Sequence, residues 1–217
     1  MDTHGDRGFT LVEMLVGLAI GLLIAATAMA FVLGQVREMR ALWIQSRVMH
    51  DLRDAADVIA RDLRRAGHWR DATSPAWSPG SAPPNPHAAL VPAATASDAA
   101  RLSYSHDAGP DGDEQIGFRL RAGVIEMLLG SGRWQALTDA GTVVVTLFSV
   151  TPVLQRIPLQ ALCGRPCADD AACTPAQSVR SVTIAIRGHA ADDARVVRSV
   201  QSLVHLRNDI VDGDCPS

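Results

Sequence analysis

The feature that most constrains this chain is a run of 21 residues without a charge, residues 14–34. Folded as an α-helix with a rise of about 1.5 Å per residue, the run is roughly 31 Å long, which matches the hydrocarbon core of a bilayer. The sequence therefore predicts a membrane-spanning helix close to the N-terminus. With 217 residues, the chain is long enough to form one globular domain beyond that helix.

An ordinary secretory signal is the alternative interpretation of this segment. Such a signal combines a basic start with a short apolar stretch, and a cleavage site of small residues follows. Here the apolar run is long, and from residue 35 it continues directly into an amphipathic helical pattern. The continuation favours a helix that remains in the mature protein.

Glu13 is the one charged residue between Phe9 and Gly34. A carboxylate at the centre of a membrane costs about 2.5–3.5 kcal/mol on insertion scales, so it is expected to have a positively charged partner there. The alternative is that Glu13 lies near the lipid headgroups and reaches water. Both interpretations are consistent with its position in the sequence.

The residues around Gly8 resemble the processing signal of type IV prepilins and pseudopilins. Residues 7–13 read RGFTLVE, with a glycine before the cut, an aromatic residue after it and a glutamate five residues into the mature chain. The resemblance implies that a prepilin peptidase cleaves between Gly8 and Phe9 and that Phe9 becomes N-methylated. It also implies a partner for Glu13, the α-amino group of a neighbouring subunit. Such a pair attracts strongly in a low dielectric and can set the axial register between subunits.

The resemblance implies four segments along the chain. Residues 1–8 would be the leader, and residues 9–34 the transmembrane and filament-core helix. Residues 35–67 would continue this helix, and residues 68–217 would form a β-rich domain. The protein would cross the inner membrane once, with this domain in the periplasm, and would then enter a pilus at the cell surface.

Two features depart from the common pilin pattern. The leader carries Asp2 and Asp6 beside Arg7, so it is not clearly basic, and this weakens the charge signal that sets orientation in the membrane. Position 30, where major pilins commonly have proline, is Ala30. The second departure fits a minor pilin or a pseudopilin better than a major subunit.

Residues 35–66 have the spacing of an amphipathic helix, and Gly67 is a natural helix stop. The predicted helix thus runs from about residue 9 to residue 66. Small side chains such as Ala56 and Ala60 favour packing against a flat sheet, and a dimeric coiled coil is the alternative. The apolar stripe comprises Val48, Leu52, Ala55, Ile59, Leu63 and Ala66.

The stretch 60–69, ARDLRRAGHW, resembles the end of the long helix in PilW-type minor pilins. Residues 206–208, LRN, resemble the ending of the same chains. The resemblance implies other minor pilins, the major pilin, prepilin peptidase and the inner membrane as partners, and a role at or near the filament tip in starting assembly. A J-type pseudopilin of type II secretion shares the RDL element and is the alternative. A tip adhesin module, with exposed aromatic residues such as Trp134, is a third possibility.

The remaining sequence predicts an antiparallel sheet covered by the helix, which is a pilin-like α+β fold. Residues 115–121 and 124–129 form a predicted hairpin around Ala122 and Gly123. Residues 179–187 form a half-buried strand in which Arg180 is placed on the polar side, joined through 188–195 to an antiparallel partner at 196–206. Further strands are predicted at 100–105, 134–137 and 142–150, and residues 71–98 are predicted as a loop.

Four cysteines, Cys163, Cys167, Cys173 and Cys215, lie in the last third of the chain. An even, clustered set fits disulfide bonds in an oxidising compartment, and four cysteines allow three complete pairings. Free buried thiols are the alternative. Zinc is disfavoured because the spacings are uneven and no paired C-x-x-C is present.

The acidic segment 107–114 has the composition of a possible calcium-binding loop. A calcium loop that starts at Asp107 would place Gly109 at its third position and Phe118 at its twelfth, where acidic ligands are needed. The segment therefore predicts a turn instead of a metal site.

Composition and motifs argue for a structural protein with no cofactor. The net charge of -3 argues against binding to nucleic acid through phosphate contacts. The sequence contains no G-x-S-x-G, P-loop, H-E-x-x-H or Rossmann glycine pattern. We therefore predict no enzymatic activity.

Overall fold

The computed structural model describes residues 10–70, 85–91, 101–107, 113–129, 132–165, 175–213 and 215. The chain divides into two compact units, Met1–Ile44 and Gln45–Ser217. One helix, α1 (Leu11–Leu63), contributes to both units.

In the first unit, the described residues 11–44 are helical throughout and are exposed as far as Trp43. Among the described residues, α1 is the one helix long and apolar enough to span a membrane. A helix satisfies its backbone hydrogen bonds internally, so it is stable in lipid. The side chains of residues 14–34 are apolar and suit the same surroundings.

The first sheet of the second unit is an antiparallel meander in which the strands follow chain order. The predicted hairpin is confirmed as β3 and β4, joined by Ala122 and Gly123 at φ angles of 49° and 79°. Positive φ at both turn residues matches the twist of a tight two-residue hairpin. The strands are β1 (Leu90–Val91), β2 (Arg101–Asp107), β3 (Asp113–Arg121), β4 (Val124–Leu129) and β5 (Arg133–Ala136).

The second sheet is built around a long central strand, β7. Strand β6 pairs with β7 along its whole length, while β8 and β9 pair with separate parts of its other edge. The predicted antiparallel pair of 179–187 with 196–206 is confirmed as β7 and β8. The strands are β6 (Val143–Pro158), β7 (Ala176–Ala190), β8 (Val197–His205) and β9 (Ile210–Asp212).

The α+β fold class is confirmed, but the strands divide between two antiparallel sheets instead of one. Strand β6 also runs past its predicted end at residue 150 to Pro158. Pro152 made that extension hard to foresee, because proline cannot donate to a strand ladder. In the described part of the sheet β6 is an edge strand, and there Pro152 lies opposite Val182 without interrupting the pairing.

The second half of α1 packs in the second unit as its stripe predicts. All six stripe residues are buried, and Ala56 and Ala60 are buried with them. The stripe is buried within a single chain, so its burial does not require a dimeric coiled coil. The helix ends at Leu63, three residues before its predicted end, and a turn leads to Gly67.

The core joins this helix to both sheets. Leu52 and Ile59 of α1 are fully buried together with large side chains of the first and second sheet. Burial of each such side chain contributes about 1.5–3 kcal/mol relative to exposure. The largest sheet residues of the core are Leu102, Phe118, Ile125, Phe148, Ile184 and Ile186.

The expectation that Arg180 lies on the polar side of its strand is wrong. Successive strand residues point to opposite faces, so Arg180 shares a face with Val182, Ile184 and Ile186. The side chain of Arg180 is only 8% exposed. Residue parity in the sequence already placed this arginine inward.

A disulfide bond joins Cys163, in the segment after β6 and the short 3₁₀-helix Gln160–Leu162, to Cys215 near the C-terminus. The Cα atoms are 5.4 Å apart. Cys167 and Cys173 lie outside the described residues, as do most of the predicted loop 71–98 and positions 108–112 of the acidic segment.

Candidate functional site

The start of α1 carries a reciprocal set of hydrogen bonds between Thr10 and Glu13. The backbone N–H of Glu13 donates to Thr10 Oγ1 at 3.3 Å. In return, Glu13 Oε2 accepts from the Thr10 hydroxyl at 3.3 Å and from the Thr10 backbone N–H at 3.5 Å. This pattern is a capping box, in which the cap residue and the third helical residue satisfy each other's backbone donors.

The capping box holds the Glu13 carboxylate at the positive end of the helix dipole. A carboxylate has about four lone-pair positions, so these bonds leave acceptor capacity for a further donor. Glu13 is exposed in its unit. The T-x-x-E spacing of residues 10–13 is the sequence signal for this cap, and it is separate from the charge of Glu13.

The surface that follows Glu13 is almost entirely apolar and exposed. Leu11, Leu18 and Phe31 each expose more than half of their surface, and α1 buries none of its apolar window. An apolar surface of this extent requires lipid or other helices to cover it. Gly17 and Gly21 lie one helical turn apart, a spacing typical of close contact between membrane helices.

The predicted cleavage and methylation positions, Gly8 and Phe9, lie outside the described residues. Of the three N-terminal site residues, the structure describes Glu13, and the roles of Gly8 and Phe9 stay predictions.

A second set of contacts forms at the exit of α1, in the second unit. Gly67 has a φ of 73°, a left-handed conformation that favours glycine. Its backbone N–H donates to the carbonyl of Ser105 at 3.1 Å, and its own carbonyl accepts from the amide of Asn85 at 2.9 Å. We call Gly67, Asn85, Arg180 and Asn208 the helix-exit cluster.

Asn208 brings the C-terminal part of the chain to the same turn. Its side-chain amide donates to the carbonyl of Ala66 at 3.0 Å, and the backbone N–H of Arg207 donates to the carbonyl of Arg64 at 3.4 Å. The stretches 60–69 and 206–208 are therefore in contact although they are far apart in sequence.

Arg180 forms the buried centre of the helix-exit cluster. Its guanidinium donates to the carbonyl of Ala88 at 2.6 Å and to the carbonyl of Asn208 at 2.7 Å. Burial lowers the pKa of Arg180, and the carboxylate of Asp209 opposes that shift. The group stays charged because the ordinary pKa of arginine lies far above neutral pH. A Cβ on Gly67 would lie 2.7 Å from Nη2 of Arg180, so a larger residue there would force the guanidinium to move away from its hydrogen-bond partners.

The capping box and the helix-exit cluster are built from hydrogen bonds, which suit them to binding and to stabilising the fold. Within the described ranges, no group of three or more His, Cys, Asp or Glu side chains is arranged to hold a metal ion. Asp107, the first residue of the acidic segment, belongs to β2 and forms an ion pair with Arg70 at 2.9 Å.

Comparison with known proteins identifies two families. The prokaryotic N-terminal methylation motif matches residues 3–29. The family described as prepilin peptidase-dependent protein B matches residues 41–206, more than half of the 217-residue chain. No curated protein and no solved structure matches the chain significantly.

The first match covers the capping box, and the second covers every residue of the helix-exit cluster except Asn208. They imply processing by a prepilin peptidase and assembly into a pilus or pseudopilus. The chain belongs to the prepilin peptidase-dependent protein B family and is a type IV pilin-like protein.

Proposed function

We propose that this protein is a minor pilin of the PilW type, which enters a type IV pilus at or near its tip and helps to start assembly. The observation that carries the proposal is the exposed apolar start of α1 with the Glu13 carboxylate held at its end. The methylation motif over residues 3–29 supports it. The role is structural, with other minor pilins and the major pilin as partners.

Assembly begins, in this proposal, with removal of residues 1–8 by prepilin peptidase and N-methylation of Phe9. The new α-amino group keeps its positive charge after methylation. Glu13 of one subunit then receives the amino group of Phe9 of its neighbour. An ion pair of this kind favours one axial register among helices whose remaining contacts are apolar and not directional.

Before assembly the chain crosses the inner membrane once with residues 9–34, and residues 35–67 continue the helix towards the domain at 68–217. We place that domain in the periplasm. The disulfide between Cys163 and Cys215 supports this placement, because such bonds persist in oxidising compartments.

A J-type pseudopilin of a type II secretion filament is the second candidate, because residues 61–63 carry the RDL element of that group. The genes beside this one separate the two candidates: genes for other minor pilins support the pilus, and genes for secretion-channel components support the secretion filament. A tip adhesin receives less support, since Arg119 lies 3.9 Å from the ring centre of Trp134 and engages this aromatic within the domain.

The test compares substitutions that separate the charge of Glu13 from its capping role. Glu13→Gln removes the charge but keeps an acceptor for the capping box. Thr10→Val removes the cap and keeps the charge. We expect Glu13→Gln and Glu13→Ala to process normally but to reach sheared filaments at least tenfold less than wild type, and Thr10→Val to reach them substantially better.

Glu38→Ala is the matched control, an exposed acidic residue of α1 beyond the apolar run. It should enter filaments as wild type does. Normal incorporation of Glu13→Ala would overturn the proposed ion pair, and normal incorporation of Glu13→Gln alone would show that only the cap matters.

A further inference from the structure

A small cleft lies beside the helix-exit cluster, with a volume of about 160 Å³. Three segments line it: the turn after α1, the end of β2 and the segment after β8. Its charged and titratable lining residues are Arg64, Arg65, His68, His106, Asp107 and Arg207.

The backbone holds these three segments together. The N–H of Arg207 donates to the carbonyl of Arg64 at 3.4 Å, and the N–H of Asp107 donates to the carbonyl of His68 at 2.9 Å. His106 is only 1% exposed, so it belongs to the interior side of the cleft. These main-chain hydrogen bonds hold the backbone of the three lining segments in place.

Positive charge predominates in this cleft. Three arginines line it, and Asp107 is the one carboxylate among the lining residues. That carboxylate already receives the guanidinium of Arg70 at 2.9 Å and the Arg70 backbone N–H at 3.2 Å. Arg65 lies 4.0 Å from Asp62, at the outer limit of an ion pair, and the Asp62 side chain is only 19% exposed. The whole chain has a net charge of -3, so the excess of positive charge in the cleft is a local feature.

The volume limits what the cleft can hold. At about 30 Å³ for each water molecule, it has room for a few waters, whereas sites for small organic ligands measure about 300–1,000 Å³. One carboxylate or phosphate group fits that space. Guanidinium groups bind either group through paired N–H donors.

We propose that the cleft binds a single carboxylate on an acidic side chain of another filament subunit. Asp107 keeps its negative charge in the lining even while it is paired with Arg70, and this charge repels a phosphate with nearly two negative charges more than a carboxylate with one. The identity of the partner as a filament subunit rests on the proposed function. The carboxylate site itself rests only on the residues of the cleft.

The test measures binding to the full chain in detergent micelles by NMR of the His68 and His106 imidazoles. The probes are a blocked tripeptide Gly-Glu-Gly, its Gly-Gln-Gly counterpart and inorganic phosphate. We expect saturable shifts with the glutamyl peptide, none with the glutaminyl peptide, and binding at least tenfold weaker in Arg64→Gln/Arg207→Gln. Both arginines are exposed, so the variant should keep the wild-type melting temperature within a few degrees.

Arg195→Gln is the matched control, since Arg195 is exposed and pairs with Asp193 away from the cleft residues. It should bind the peptide as wild type does. Equal binding by the double variant, or no saturable shift with wild type, would overturn the site. Tighter binding of phosphate than of the glutamyl peptide would overturn the choice of a carboxylate.

A filament measurement then tests the partner separately. Arg64→Gln/Arg207→Gln should be processed at the leader as wild type and should be depleted in sheared filaments. Peptide binding with unchanged filament content would overturn the filament subunit as the partner. Failure of Glu13 variants to behave as expected would concern the proposed function and not this cleft.

Discussion

At the scale of single residues, Arg180 and Gly67 show how a buried charge can fix a change of chain direction. The guanidinium satisfies carbonyls of two separate segments, at Ala88 and Asn208. Gly67 leaves the space that this guanidinium occupies. Hydrogen bonds to charged groups contribute about 1.5–3 kcal/mol each, so the helix-exit cluster is a substantial part of the stability of the domain.

Gly67→Ala should lower the free energy of unfolding by about 2–3 kcal/mol. The added Cβ meets Arg180 at 2.7 Å, and alanine is disfavoured at a φ of 73°. Gly132→Ala is the control, because Gly132 also has a positive φ but no atom within 4 Å of the added Cβ. Urea unfolding of the full chain in micelles, followed by tryptophan fluorescence, measures both. Equal losses would show that contact with Arg180 is unimportant.

Tyr104 provides a residue-scale prediction about pH. Burial raises the pKa of its phenol above the ordinary value, and Asp62 adds to the rise. The folded state therefore holds this proton more tightly than the unfolded state, so stability is unaffected below pH ~10 and falls as the pH rises above it.

The chain has a single tyrosine, so ultraviolet absorbance follows this phenol directly. Phenolate should be absent at pH 11 in the folded chain and should appear together with the loss of tertiary structure. Tyr104→Phe should remove this loss of stability at high pH. A phenolate that forms near pH 10 in the folded protein would contradict the burial of Tyr104.

At the scale of elements, long regular patterns and the T-x-x-E capping signal were readable from the sequence, whereas strands of two or three residues were not. The stripe from Val48 to Ala66 recurs every three or four residues, and all of it is buried. Strands β1 and β9 have two and three residues, too few for an alternating pattern. The capping box of Thr10 and Glu13 was readable from its T-x-x-E spacing. The contacts of Arg180 with Ala88 and Asn208 depend on the tertiary fold, so no local sequence pattern predicts them.

The disulfide ties the segment after β6 to the C-terminus, across a sequence separation of 52 residues. Closing a loop of that length stabilises the folded state by about 4 kcal/mol in the chain-entropy estimate, and measured values are commonly about 2–4 kcal/mol. Cys163→Ser should lower the free energy of unfolding by that amount, as should Cys215→Ser.

The double variant Cys163→Ser/Cys215→Ser is the control and should lose no more than either single variant. Urea unfolding without reductant measures all three. A loss below about 0.5 kcal/mol would show that this bond does not constrain the unfolded chain.

At the scale of the whole molecule, the spacing of apolar residues predicts the fold class, whereas short motifs indicate the family. The spacing of apolar residues was enough for the α+β fold class, because burial decides where helices and strands lie. The spacing of apolar residues does not predict the division into two sheets, since antiparallel strands with similar patterns can pair in more than one order. The pilin-like family is supported by both parts of the chain, since the methylation motif matches residues 3–29 and the prepilin peptidase-dependent protein B family matches residues 41–206.

The intact mass of the chain recovered from sheared filaments tests the proposed processing and assembly most directly. We expect the mass of a chain that begins at Phe9, carries one added methyl group and contains the bond between Cys163 and Cys215. After reduction, tandem fragmentation should place the methyl group on the first residue. A filament-bound chain that still carries residues 1–8, or begins at any residue other than Phe9, would contradict the proposed function.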